Sequence, residues 1–156
     1  MKRLLSCAVL LAVATTVAAA NKAGAGTQVP FKATDSGSAT LVAIVGPVME
    51  TSDTATGEGT QLGRYRMVAG EHVNLVSGAI TDGFFTITAA NGDTLTGTYS
   101  GQALPGLTGY DVSGPITGGT GRFANATGSI RFLGTVDPAA LTFSDAVTGT
   151  MSVGNR

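Results

Sequence analysis

The chain has 156 residues, nine Lys and Arg against ten Asp and Glu, a formal net charge of −1, and only 12% charged residues. With no basic cluster, that balance argues against nucleic acid or anionic lipid as the main partner. A single histidine, His72, and a single cysteine, Cys7, rule out a multi-histidine metal site and an internal disulfide.

Lys2 and Arg3 precede an uncharged, largely apolar run over residues 4–17. Ala18-Ala19-Ala20 then offers a small-residue cleavage site, with Ala23-Gly24-Ala25 as a second option. This is the pattern of a secretory signal peptide over residues 1–20, followed by one domain over 21–156. The run is shorter than the roughly 20 residues of a membrane span, so no transmembrane segment is expected in the mature chain. Cys7 stands before most of the apolar run, whereas a lipid-bearing cysteine would follow it. Cleavage removes Cys7, and the expected destination is the periplasm or the exterior.

Beyond the leader the chain reads as strands almost throughout, with no convincing helix. Residues 29–33 and 39–45 are rich in apolar and β-branched side chains, and 46–59, full of Gly, Thr, Ser and acids, reads as a mobile loop. Further strands are expected at 60–69, 79–89, 94–104, 110–117, 129–136 and 141–153, separated by turn residues. Ala90-Asn91-Gly92-Asp93 predicts a two-residue type I′ hairpin with Asn91 and Gly92 both at positive φ, pairing 79–89 with 94–104. Period-two alternation puts Leu95, Gly97, Tyr99 and Gly101 on one face against a ladder of Thr94, Thr96, Thr98 and Ser100. Ile130, Phe132, Gly134 and Val136 likewise oppose Arg131, Leu133 and Thr135, while Gly63, Tyr65 and Met67 oppose Leu62, Arg64, Arg66 and Val68. Glycines interleaved with large side chains favour an all-β, closed antiparallel barrel over an open sandwich, the alternative.

Between two of these strands lies Gly118-Gly119-Thr120-Gly121-Arg122-Phe123-Ala124-Asn125-Ala126-Thr127-Gly128. Such glycine density encodes a particular backbone path. It lacks the lysine and following helix of a phosphate-binding loop. The expectation is a structural closure built by Gly118, Gly119, Gly121 and Gly128, with Phe123 anchored in the core.

This segment is similar to the Gly-Gly-Thr-Gly-x-Phe…Ala-x-Gly stretch of dirigent proteins, and it looks like the matching stretch of bacterial exported proteins with an allene-oxide-cyclase-like barrel. Those bacterial proteins resemble the chain over most of its mature length, through Gly63-Arg64-Tyr65, Glu71-His72, Thr81-Asp82-Gly83, Ala90-Asn91-Gly92-Asp93 and Val147-Thr148-Gly149-Thr150. The resemblance implies about eight antiparallel strands around a central cavity. Plant allene oxide cyclases steer the ring closure of a fatty-acid epoxide, and dirigent proteins steer phenoxy-radical coupling. The polar cavity residues of those proteins do not map one by one onto this chain.

Chemistry-bearing residues are sparse. Glu71 and His72 are read as solvated or hydrogen-bonded turn residues, since neighbours on a strand face opposite ways. Arg64, Arg66 and Arg131 read as a solvated strand face. Tyr65, Met67, Tyr99, Tyr110 and Phe132 are the candidate lining of a ligand cavity, a role that core filling competes for. No cofactor motif, metal cluster or nucleophile–base pair is present. The favoured expectation is therefore a non-enzymatic exported barrel, either binding a small apolar ligand or serving as a structural module. The alternative is a cofactor-free cyclase, isomerase or stereochemical guide that works by confinement. Assembly is left open, a homo-oligomer among the options.

Overall fold

The computed structural model describes residues 27–152. The signal peptide expected over residues 1–20, the two expected cleavage sites and Cys7 lie outside the described residues. Eight strands follow one another: β1 (Gln28–Val45), β2 (Val48–Gly59), β3 (Gly63–Asn74), β4 (Ala79–Ala89), β5 (Thr94–Ala103), β6 (Gly109–Gly119), β7 (Gly128–Asp137) and β8 (Thr142–Ser152). Each pairs antiparallel with its sequence neighbour, and β1 pairs with β8 from Gln28 opposite Ser152 to Ser38 opposite Thr142. The result is a closed up-and-down barrel with no free edge.

The strand expected at 60–69 runs instead over Gly63–Asn74, through Glu71 and His72, and two readings nearer the start of the chain also change. Residues 29–33 and 39–45 belong to one long β1, and the expected loop at 46–59 is mostly β2. Both misreadings have one cause. Asp35 and Gly37 on β1, and Thr51, Asp53 and Gly57 on β2, are polar or small residues that face inward between outward Ser, Thr and Glu side chains. The alternation is intact, but the inward side carries carboxyls and glycines where aliphatic side chains normally signal a strand.

β4 and β5 pair as expected, from Ala79 opposite Gln102 to Thr88 opposite Thr94. Their turn is not type I′. Only Gly92 is left-handed (φ +89°), and its N–H donates to the Ala89 carbonyl at 2.9 Å. The Ala89 N–H in turn reaches the Asp93 carbonyl at 2.9 Å, as in a three-residue hairpin loop with a terminal glycine. Asn91 stays out of the left-handed region because its side chain works as a local brace: Oδ1 accepts the Asp93 N–H, and Nδ2 donates to Asp93 Oδ2 at 2.8 Å.

The two ends of the barrel differ. The end that carries the β2–β3, β4–β5 and β6–β7 connections is packed solid: Phe31, Leu62, Ile87, Leu95, Phe123, Ile130, Val147 and Met151 are all fully buried there. Phe123 sits on a single 3-10 turn, Gly121–Phe123, with the Arg122 guanidinium 4.6 Å from its ring centre. Arg122 also donates to the Leu62 carbonyl at 2.9 Å, tying the β6–β7 connection to the β2–β3 turn. At the other end the connections carry exposed Val45, Val76, Leu104 and Leu141. No helix among the described residues is long and apolar enough to cross a membrane.

Candidate functional site

The open end leads into a cavity of about 270 Å³. Its outer wall is apolar, with Leu41, Met49, Ile80, Leu107, Val136 and Phe143 among its members. Deeper in, Met67, Tyr99, Tyr110 and Phe132 meet three acids, Asp53, Glu71 and Asp145. Four of the five residues expected to line a cavity therefore do so. Tyr65 does not. It is buried beside Asp35, its hydroxyl 2.6 Å from Asp35 Oδ2, because the open neighbour it leans across is a glycine rather than the cavity.

That leaning repeats at each of the three tyrosines. Tyr65 on β3 crosses Gly57 on β2 to reach Asp35 on β1. Tyr110 on β6 crosses Gly134 on β7 to reach Asp145 on β8, donating to Oδ1 at 2.7 Å. Tyr99 on β5 pairs with Gly83 on β4 and donates to Glu71 on β3. A Cβ on any of these glycines would run into the tyrosine ring. The missing side chain is what lets each phenol lie flat against the wall and span three strands. Glu71 faces inward by the plain alternation of β3, in step with Tyr65, Met67, Ala69 and Val73, while the register slip beside it places an extra residue on β4, where Asp82 is left-handed at φ +56°.

Asp35 and Asp145 are cross-strand partners at the β1–β8 seam, so two buried carboxyls face each other there, and Asp35 Oδ1 and Asp145 Oδ2 have no donor. Asp53 lies diagonally across β2 and β3 from Glu71, close enough to feel its charge; Thr51 Oγ1 donates to Asp53 Oδ2 at 3.4 Å, and Oδ1 has no donor. Two facing carboxylates hold together only by sharing a proton, and burial adds to the cost of charge. Burial first, then the Glu71 charge, pushes the Asp53 carboxyl up to about 8. Burial, with Asp35 beside it, pushes Asp145 up to about 7, although the Tyr110 hydroxyl opposes the shift. Asp35 is also raised by burial. All three phenols are raised, by burial foremost and then by the neighbouring carboxylates, so each stays a hydrogen-bond donor at any ordinary pH.

Glu71 is the residue the sequence reading mistook. It lies on β3 facing the cavity, not in a turn, and His72, expected in a turn as well, is on the same strand, facing outward with its Nδ1 3.2 Å from Asp82 Oδ2. The opposed facing of this pair is as expected. Arg131 pairs with Asp111 on the outer face through two contacts of 2.7 and 2.5 Å, and Arg64 and Arg66 are exposed. Asp35, Asp53 and Asp145 went unnoticed because a lone aspartate in a Ser/Thr/Gly stretch normally marks a turn. The one available signal was their spacing: each stands at an inward position of the period-two pattern.

These features define an up-and-down β-barrel, packed at one end and open at the other to an apolar cavity floored by tyrosines and carboxyls. Comparison with protein-family models, curated proteins and solved structures finds no match for the chain.

Proposed function

We propose that the chain is an exported barrel that holds one small, largely apolar ligand in its open end. The observation that carries this reading is the cavity itself. Tyr99, Tyr110 and Phe132 stand around an open space instead of filling it, with ring centres of Tyr99 and Phe132 5.8 Å apart. At about 270 Å³ the space falls just short of the usual 300–1,000 Å³ of small-molecule sites, and it has their character: apolar walls with a few convergent polar groups. Exposed Val76, Leu104 and Leu141 near the mouth suit the passage of an apolar molecule. Export rests on the charged, apolar and small-residue pattern of residues 1–20. The resemblance to allene-oxide-cyclase-like and dirigent barrels is consistent with a cavity-centred role.

Native mass spectrometry of the exported protein tests the reading. The expected spectrum shows a mature chain beginning near residue 21 with a co-purifying small molecule, and the same measurement gives the oligomeric state. Ala103→Trp, which places a large ring in the cavity wall, should strip that molecule away. A ligand-free wild type that also fails to take up small apolar compounds would leave the structural-module role in its place.

A second reading, a cofactor-free isomerase or cyclase, is favoured by Asp53. Its carboxyl, held up to about 8 in an apolar cavity, is a proton donor at neutral pH, with the Glu71 carboxyl beside it as acceptor. Turnover of the co-purifying molecule, lost in Asp53→Asn, would establish it.

A further inference from the structure

The cavity is short of hydrogen-bond donors. All three tyrosine hydroxyls are already committed, Tyr65 to Asp35, Tyr99 to Glu71 and Tyr110 to Asp145. No Lys, Arg or His side chain is among the cavity's lining residues. Of the described cations, Lys32, Arg64, Arg66 and Arg131 are exposed on the outer face, and Arg122 is tied down at the packed end on the Leu62 carbonyl. His72 faces outward to Asp82.

Acceptors, by contrast, are in surplus. Asp53 and Asp145 line the cavity, are 7% and 4% exposed, and each has one carboxyl oxygen, Oδ1 of Asp53 and Oδ2 of Asp145, with no N–H or hydroxyl donor. Each of these acids also lies against a second one, Asp53 by Glu71 and Asp145 by Asp35, so burial and the neighbouring charge favour a proton on Asp53 and on Asp145. A ligand whose polar end is a carboxylate or phosphate would meet the acids, with only the Thr142 hydroxyl at the mouth left as a side-chain donor, since Thr51 already donates to Asp53. One that brings several N–H donors and a positive charge would satisfy the orphan oxygen and replace the proton on Asp53.

We infer that the polar end of the ligand is a protonated amine, seated on Asp53 and Glu71 with its apolar body against Met49, Ile80 and Phe143. The inference rests on the ligand-binding reading above. On binding, R–NH₃⁺ enters intact and the proton held on Asp53 leaves to solvent, so charge and atoms balance with no bond to carbon made or broken.

Titration calorimetry of the mature protein at pH 7 with n-hexylamine, n-hexanol and n-hexanoate tests this, run in two buffers of different ionisation enthalpy. Hexylamine should bind roughly tenfold or more tighter than hexanol, with hexanoate weakest, and only the amine should release a proton to the buffer. In Asp53→Asn, whose amide is isosteric with the protonated acid, hexylamine should fall to the level of hexanol and proton release should vanish. In Glu71→Gln the preference for hexylamine over hexanol should shrink as well, with proton release reduced but not abolished because burial still holds a proton on Asp53. Hexanol or hexanoate binding as tightly as hexylamine would overturn the amine assignment and leave an apolar-ligand site standing. Failure of all three probes to bind would overturn both.

Discussion

Asp35 and Asp145 stand directly opposite each other where the first and last strands meet, so the barrel closes by bringing two buried carboxyls face to face. Each also accepts a phenol, Tyr65 on one side and Tyr110 on the other. From β3 through β2, β1, β8 and β7 to β6 the inward residues at this level run Tyr65, Gly57, Asp35, Asp145, Gly134, Tyr110. Tyr, Gly and Asp thus mirror one another across the seam. Closing the barrel between these strands therefore depends on protonation, and the stability of the whole fold inherits that dependence.

Stability should fall as pH rises. Asp53 and Asp145 titrate near 8 and 7 when folded, against an ordinary value of 3.8, so the native state binds more protons than the unfolded chain between those limits. Their contribution is complete below about pH 4 and is lost as pH climbs through 7 and 8. Asp111, lowered by its hydrogen bond to Arg131, acts in the opposite sense but only at the acid end. Thermal unfolding should give a higher Tm at pH 5 than at pH 9, and Asp53→Asn should flatten the profile. A Tm that rises steadily from pH 5 to pH 9 would contradict the protonated-acid arrangement.

Tyr110→Phe should show how much the phenol contributes. Removing the hydroxyl leaves Asp145 Oδ1 buried without its donor, at a cost of about 1–3 kcal/mol. Because that hydrogen bond holds the Asp145 value down, its loss should also move the midpoint of the pH profile to the alkaline side. Urea unfolding at several pH values measures both effects. Unchanged stability together with an unmoved midpoint would mean that the ring's packing, which the variant keeps, carries the role and the hydroxyl does not.

Gly134 and Gly92 should respond differently to a larger side chain. At Gly134 a Cβ would strike the Tyr110 ring and the Asp145 carboxyl, so Gly134→Ala overpacks the interior and should cost about 1–3 kcal/mol. At Gly92 a Cβ would meet nothing within 4 Å, and only the left-handed backbone objects. Gly92→Val should therefore cost about 1–2 kcal/mol through backbone strain, with no effect on the pH profile. Circular-dichroism melts of both variants across pH 5–9 separate the two mechanisms.

Much of the fold was legible in the chain because local rules sufficed. Turn residues at short intervals and period-two alternation in β3, β5 and β7 pointed to antiparallel strands, and the large residues between glycines pointed to closure. The acid floor was not legible, and the reason is register. Asp35, Gly57 and Tyr65 are far apart in sequence and become one unit only when three strands align. The same holds for Tyr110, Gly134 and Asp145. The tyrosines could be placed on an inward face, but which carboxyl each would meet depended on pairings that composition does not encode.

Phe123 and Gly121 offer the sharpest test of how the packed end is held. Phe123 is completely buried at the end opposite the cavity, on a connection of which Gly118, Gly119, Gly121 and Gly128 shape the path. Phe123→Ala should cost about 3–5 kcal/mol, the range for deleting a buried phenylalanine. For a domain of this size that lowers Tm by roughly 3–4 °C per kcal/mol, or on the order of 10 °C in all. Gly121 is left-handed at φ +55°, and a Cβ there would run into the Asp93 carboxylate, whose Oδ2 accepts the Arg122 N–H at 3.2 Å. Gly121→Val should therefore loosen the same connection through strain and the loss of that contact. Neither variant touches a residue of the cavity wall, so ligand uptake measured well below the melting temperature should match the wild type. If both melt within about 2 °C of the wild type while ligand uptake falls, the segment belongs to the binding function and not to the closure of the barrel.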